Sequence, residues 1–375
     1  MNKFEKPVYV TKPFMPPFEE FCLGLKEIWD NQWLTNNGPV LQRYCEALKI
    51  YFGTDNLCLF ANGTLALQIA LQGLGIRGEV ITTPFTFVAT AHALHWTKVR
   101  PVFCDIEPDF FTLDPAKIEA LITPWTTAIL AVHVFGRPCK VDALADIARR
   151  HNLVLIYDAA HAFGVKVNGK SICHFGDVSM FSFHATKIYH SIEGGMLVSK
   201  DPGLCTTFNY LKNYGFKSET EVVMPGTNAK MNEIQALMGS MVLKHIDSMI
   251  AVRRELYETY TGQLAHVPGI SFSPPPEPGL AYNYAYFTVL IDEKEFGMDR
   301  DRLYTELKGY NIFTRRYFYP LINELACYRS ISVRQPLVTA ARVSSTILAL
   351  PIYHDLGKAS VGLICDIIKA LQKKS

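Results

Sequence analysis

The sequence predicts an α/β protein: a large N-terminal domain built on a mixed, mostly parallel sheet, followed by a smaller α+β lobe. Three observations predict it. From Leu57 to Ser199 short apolar runs alternate with helical patterns, an order that requires crossover connections and parallel neighbours. The last two runs, Asp177–Ser182 and Gly195–Ser199, follow each other without a helix, so part of the sheet is hairpin-connected. The proline-rich stretch Ser271–Gly279 is a loop, and beyond it a second strand and helix pattern begins. The expected domains are residues 1–245 and 246–375.

The elements follow in order. Leu57–Phe60 reads as a strand and Thr64–Leu74 as a helix. Glu79–Thr83 and Val99–Cys104 are strands separated by an Ala/His-rich helical stretch. Ala128–Val134 is a strand, Asp142–His151 a helix, and Leu153–Asp158 a strand ending on a carboxylate. A single long helical pattern from Met231 to Leu264 bridges toward the second lobe. There Tyr284–Ile291 reads as a strand, and Arg302–Gly309 and Val361–Lys373 as helices.

The composition excludes several classes. With 375 residues, 49% of them apolar and a net charge of +2, the chain is an ordinary globular enzyme by its balance. Its basic clusters stop at pairs such as Arg149-Arg150 and Arg315-Arg316, too little for a nucleic-acid footprint. No apolar run approaches the roughly 20 residues of a membrane helix, and Met1–Pro7 is too charged for a signal peptide. Nine cysteines, scattered singly and odd in number, read as free thiols of a cytoplasmic protein.

One lysine stands out. Lys187 lies in Phe181-Ser-Phe-His-Ala-Thr-Lys187-Ile-Tyr-His-Ser-Ile-Glu-Gly-Gly195, just past a strand and downstream of the strand-end Asp158. Pyridoxal phosphate needs such a pair: a lysine to hold it as a Schiff base and a carboxylate for its protonated ring nitrogen. Asp158, taken alone, serves equally as a cap for the next turn. His161 suits either a core position or the same pocket, and Ser182 either a phosphate or a packing site. Gly194-Gly195 lets backbone approach closely beside the lysine. Asn62-Gly-Thr64 joins a strand to a helix start, a place for an anion or for a simple cap. The run Gly73-x-Gly75-x-x-Gly78 has a helix before it and a strand after it, the reverse of a dinucleotide site, which counts against an NAD-dependent dehydrogenase. The pairs His92/His95 and His184/His190 lack the further ligands a zinc ion needs, so no metal is expected.

Together these residues resemble the DegT/DnrJ/StrS family of sugar aminotransferases. The similar segments run in order from Trp33-Leu-Thr-Asn-Asn-Gly-Pro39 through Phe60–Leu67, Thr83–Thr90, Asp158-Ala-Ala-His161, the lysine segment and Gly226–Gln235 to Arg315-Arg-Tyr-Phe-Tyr-Pro-Leu321. The resemblance implies the aspartate-aminotransferase architecture (fold type I) and pyridoxal 5'-phosphate cycling through pyridoxamine 5'-phosphate. It implies Lys187 as the Schiff-base lysine and Asp158 as the partner of the ring nitrogen. Phe87 would stack on the ring and His161 lie against it, although the family more often has glutamine at that position. Gly63, Thr64 and Ser182 would hold the phosphate, joined by Asn228 from the neighbouring subunit of a homodimer with shared active sites.

The lysine segment and Arg315–Ile322 look most like those of enzymes acting on dTDP-4-keto-6-deoxyglucose. The implied partners are therefore a nucleotide-linked keto-sugar and an amino-acid donor, glutamate by resemblance, and the product is dTDP-4-amino-4,6-dideoxyglucose for a bacterial surface polysaccharide such as O-antigen. Amination at C3 of a 3-keto isomer is the alternative, and a non-catalytic regulatory relative is the remaining rival. Arg316, Tyr317 and the Trp33–Asn37 loop are the candidates for contact with the nucleotide sugar, against a solvated arginine pair beside packed aromatics.

Overall fold

A computed structural model of the chain describes residues 3–372. Seven strands form the large sheet: β1 (Leu57–Phe60), β2 (Glu79–Thr82), β3 (Arg100–Phe103), β4 (Thr126–Val132), β5 (Val154–Asp158), β6 (Val178–Ser182) and β7 (Gly195–Ser199), in the spatial order β1-β7-β6-β5-β4-β2-β3. β3, β2, β4, β5 and β6 pair in parallel, while β7 runs antiparallel to both β6 and β1. The sheet is mixed because β6 and β7 follow without a helix between them, as the sequence pattern requires.

Strand side chains alternate between faces, and the two cores record it. Leu57, Leu59, Ile129, Leu155 and Tyr157 join the core beneath Pro39–Phe52 and Val141–Arg150. Cys58, Phe60, Ala128, Leu130, Ile156 and Met180 face the helices Gly63–Gly73 and Ala89–Trp96. Asp158 shares the parity of Ile156, and Ser182 that of Met180. Both therefore end their strands on the Gly63–Gly73 side, at the carboxyl edge of the parallel strands, where this class of sheet leaves its crevice.

The expected single helix from Met231 to Leu264 is two helices, Glu233–Leu243 and Ile246–Leu264, parted at Lys244-His245. No glycine or proline marks the break, so periodicity alone runs through it. The first helix buries Ala236, Leu237 and Met241 in the large sheet's core, and the second still adds Ile246 and Met249 to it before Leu256, Tyr260 and Leu264 join another. That other core is organised by the antiparallel sheet Ile270–Ser271, Phe287–Ile291 and Ile347–Leu350, with Phe287–Ile291 central, and by the helix Lys358–Gln372. The predicted terminal helix ended at Lys373, which lies outside the described residues. The short strand Val8–Tyr9 pairs in parallel with Ile312–Phe313 and buries Val8 in this second core, so the start of the chain reaches back to the C-terminal lobe.

The glycine run ends the helix Gly63–Gly73 and turns into β2, with Gly75 and Gly78 both at a φ of +65°. A Cβ on Gly78 would fall 2.4 Å from the Trp125 carbonyl oxygen, so the residue is required by the turn.

Candidate active site

A cavity of about 700 Å³ opens at the carboxyl edge of the sheet, lined by Gly63, Thr64, Phe87, Asp158, His161, Ser182, Lys187 and Tyr317. Eight of the ten residues named individually for cofactor or substrate thus converge on one space. Asn228 does not; it is exposed, and its backbone bridges to Asn213. Arg316 does not line the cavity either. Its guanidinium donates to Asp301 at 2.9 Å and lies over the rings of Tyr304 and Tyr319, 4.7 and 5.2 Å from their centroids.

The helix start at one end of the cavity is built for an anion. The Asn62 side chain accepts the Leu65 N–H at 2.9 Å, and the Asn62 carbonyl accepts the Ala66 N–H at 3.2 Å. The Gly63 and Thr64 N–H groups are the two of the first turn left over, and the helix dipole points the same way. Close packing makes the turn glycine-dependent. A Cβ on Gly63 would come 3.0 Å from the Ser182 Cβ, and one on Gly195 2.6 Å from the Asn62 carbonyl. Gln235 ties the two loops together, donating to the carbonyls of Ala61 at 3.1 Å and Glu193 at 2.8 Å.

Asp158 is buried with both oxygens engaged. Thr90 Oγ1 donates to Oδ2 at 2.8 Å, the Ala160 N–H donates to Oδ1 at 3.0 Å, and Thr90 is itself 3.0 Å from Thr86 Oγ1. Burial pushes its carboxyl above the ordinary range, opposed by those two hydrogen bonds and the Lys187 charge. Lys187 sits deep in the protein with part of its surface open to the cavity. Burial pushes its ammonium down, while Asp158 and then Tyr317 pull it back up. Among the described residues, none hydrogen-bonds its Nζ. His161 accepts the Phe135 N–H on Nδ1 at 3.1 Å, which places its proton on Nε2, and burial with the nearby Lys187 charge keeps it well below its ordinary pKa. Its ring lies parallel to that of Phe318, 6.2 Å away, and the Asn283 amide donates to its carbonyl at 2.7 Å.

Sequence reasoning missed Thr86, Thr90, Tyr286, Phe318, His184, Glu193 and Gln235. The i, i+4 threonines of Thr86-Phe-Val-Ala-Thr90 and the capping box from Asn232 to Gln235 were visible signals. Tyr286 and Phe318 arrive from the C-terminal lobe, and no local pattern announces them.

A lysine and an aspartate buried in one cavity, beside an anion-ready helix start at the edge of a mixed α/β sheet, define a lysine-dependent group-transfer enzyme of the aminotransferase fold. Over residues 18–369 the chain matches the DegT/DnrJ/EryC1/StrS aminotransferase family, and it belongs to that family. It is 42% identical to a dTDP-4-amino-4,6-dideoxy-D-glucose transaminase of Shigella dysenteriae over 98% of this chain and 100% of that protein. It is 43% identical to a transaminase of the same name from Escherichia coli, over 97% of this chain and 98% of that one. Among solved structures, DesI in the presence of its TDP-sugar product superposes with a TM-score of 0.95 at 36% identity, covering 100% of this chain and 95% of that one. The chain is a transaminase with the predicted fold. Among the described residues no helix is long and apolar enough to cross a membrane.

Proposed function

We propose that the chain transfers an amino group, from glutamate, to C4 of dTDP-4-keto-6-deoxy-D-glucose, giving dTDP-4-amino-4,6-dideoxy-D-glucose for surface polysaccharide, with pyridoxal phosphate as cofactor. The observation that carries the reading is the meeting of Lys187 and Asp158 in one cavity with the start of the Gly63–Gly73 helix. The residues present fit the cofactor. The Gly63 and Thr64 N–H groups, with the hydroxyls of Thr64 and Ser182, suit its phosphate. Asp158 suits its ring nitrogen, and Phe87 and His161 suit its two faces. Asn228, exposed and away from its own cavity, suits a homodimer in which it serves the neighbouring subunit's phosphate. Nine unpaired cysteines accord with a reducing cytoplasm.

Bound there, pyridoxal phosphate supplies an electron sink for cleavage of the donor's α-C–H bond. The chain's part is proton handling and orientation. Lys187 Nζ, which no described residue hydrogen-bonds, would be the base that takes the donor's α-proton and holds it as an ammonium opposite Asp158. An ammonium already pushed down by burial gives up its proton more readily near neutrality. Asp158, held by Thr90 and the Ala160 N–H, keeps a negative charge opposite the ring nitrogen and so keeps that nitrogen protonated. His161, neutral and oriented through Phe135, adds no competing positive charge. The two relatives named for C4 amination, similar over nearly the whole chain, support C4 over C3. Incubation with glutamate and dTDP-4-keto-6-deoxyglucose, followed by NMR of the product, tests the reading. An amine on C4 is expected; an amine on C3, or no amino sugar, overturns it.

A further inference from the structure

The loop from Ser182 to Gly195 carries a feature the cofactor does not need. Ile192 has a φ of +69°, a conformation that a β-branched residue adopts only under strong constraint and that glycine would take freely. Its surroundings impose it. His190 Nδ1 accepts the Ile192 N–H at 3.3 Å, and His190 is itself fixed through Nε2 to the Phe14 carbonyl at 2.8 Å. Ser191 Oγ and Gln235 Nε2 both donate to the carbonyl of the next residue, Glu193, at 2.9 and 2.8 Å. The strained turn therefore sets the position of Glu193, which lines the same cavity as Lys187.

Glu193 faces His184, another lining residue, with Oε1 3.4 Å from His184 Nε2. His184 Nδ1 accepts the Thr186 N–H at 3.1 Å and lies 2.7 Å from the Thr186 hydroxyl, so its proton belongs on Nε2, toward Glu193. A carboxylate is an acceptor only. One of its oxygens has a long contact with the imidazole, and the other has no donor among the described residues. Both side chains are about half exposed, at 44% and 50%, so a ligand entering the cavity can reach them.

We propose that Glu193, oriented by His184 and by the strained turn at Ile192, is a specificity-determining residue that accepts a hydrogen bond from a ring hydroxyl of the sugar substrate. The inference rests on the nucleotide-sugar reading above. An acceptor-only carboxylate has ring hydroxyls to accept from in the sugar, whereas the carboxylates of glutamate offer it no donor, so its effect falls on the sugar half of the reaction. His184 is a positioning residue and acts through Glu193.

Holoenzyme carrying Glu193→Gln or His184→Asn tests this, with calorimetric binding of dTDP-4-amino-4,6-dideoxyglucose and of dTDP alone as readouts. Glutamate-driven loss of the cofactor's yellow absorbance in the absence of sugar is followed in parallel. Glu193→Gln is expected to weaken the amino-sugar nucleotide roughly tenfold, the worth of one hydrogen bond to a charged acceptor. His184→Asn is expected to weaken it less, and in both variants dTDP binding and the glutamate step stay within about twofold. Unchanged affinity for the amino-sugar nucleotide in Glu193→Gln overturns the assignment, as does an equal loss in the glutamate step. A wild-type chain that completes the glutamate step but binds no nucleotide sugar overturns the substrate reading, and this inference with it.

Discussion

Two lysines of this chain are embedded in protein and have their ammonium groups pushed down by burial, and the proposed function gives them opposite work. Lys212 follows the helix Pro202–Leu211, donates to the Leu59 carbonyl at 3.2 Å and lies 5.5 Å from the centre of the Phe60 ring. It pins that helix to the edge strand β1, and its charge has a carbonyl and a π-face for company. Lys187 has an open cavity before it, a buried carboxylate as its counter-charge and no hydrogen bond to its Nζ among the described residues. Burial alone therefore does not mark a reactive lysine. The cavity and the opposed charge set Lys187 apart.

Breaking each lysine sharpens the contrast. Lys187→Ala is expected to lower transamination by roughly a thousandfold or more, since both the covalent anchor and the proton carrier go; steady-state kinetics and a melting curve close to wild type check it. Asp158→Asn leaves an amide that cannot hold the ring nitrogen's proton, and a turnover loss on the order of a hundredfold is expected with cofactor still bound. Lys212→Met is expected to retain turnover within a few-fold while losing about 1 kcal/mol of stability, because the Leu59 carbonyl loses its donor. Denaturant unfolding and kinetics on one preparation separate the two effects.

The last effect concerns acid and leaves the chain unchanged at neutral pH. His133 stacks on Tyr157 at 4.4 Å, accepts the Cys139 N–H on Nδ1 at 3.0 Å, and has its pKa lowered by burial to about 3. The unfolded chain takes up a proton near pH 6.5 that the native state refuses, so this contribution is intact above that pH. It is lost as pH falls toward about 3, at about 1.4 kcal/mol per pH unit. His133→Gln should flatten that part of the unfolding free energy's pH dependence.

Much of this was legible in the chain because the chemistry is local. Asp158 and Ser182 end strands whose parity can be counted, and Asn62-Gly-Thr64 sits at a strand-to-helix junction that periodicity locates. What was illegible depends on tertiary packing. Tyr286 and Phe318 reach the cavity from the far C-terminal part of the chain, Arg316 turns away to Asp301 and two tyrosines, and the break at Lys244-His245 carries no glycine or proline to mark it. Ile192 is the instructive case: nothing in its type announces a left-handed turn, and the bonds that hold it run through His190 to Phe14 and from Gln235 to Glu193.

Borohydride reduction of the cofactor-loaded protein, followed by peptide mass spectrometry, tests the contrast between the two lysines most directly. A phosphopyridoxyl adduct on Lys187, with none on Lys212, is the expected result. An adduct on Lys212, or a loaded protein that yields no adduct on Lys187, would contradict it.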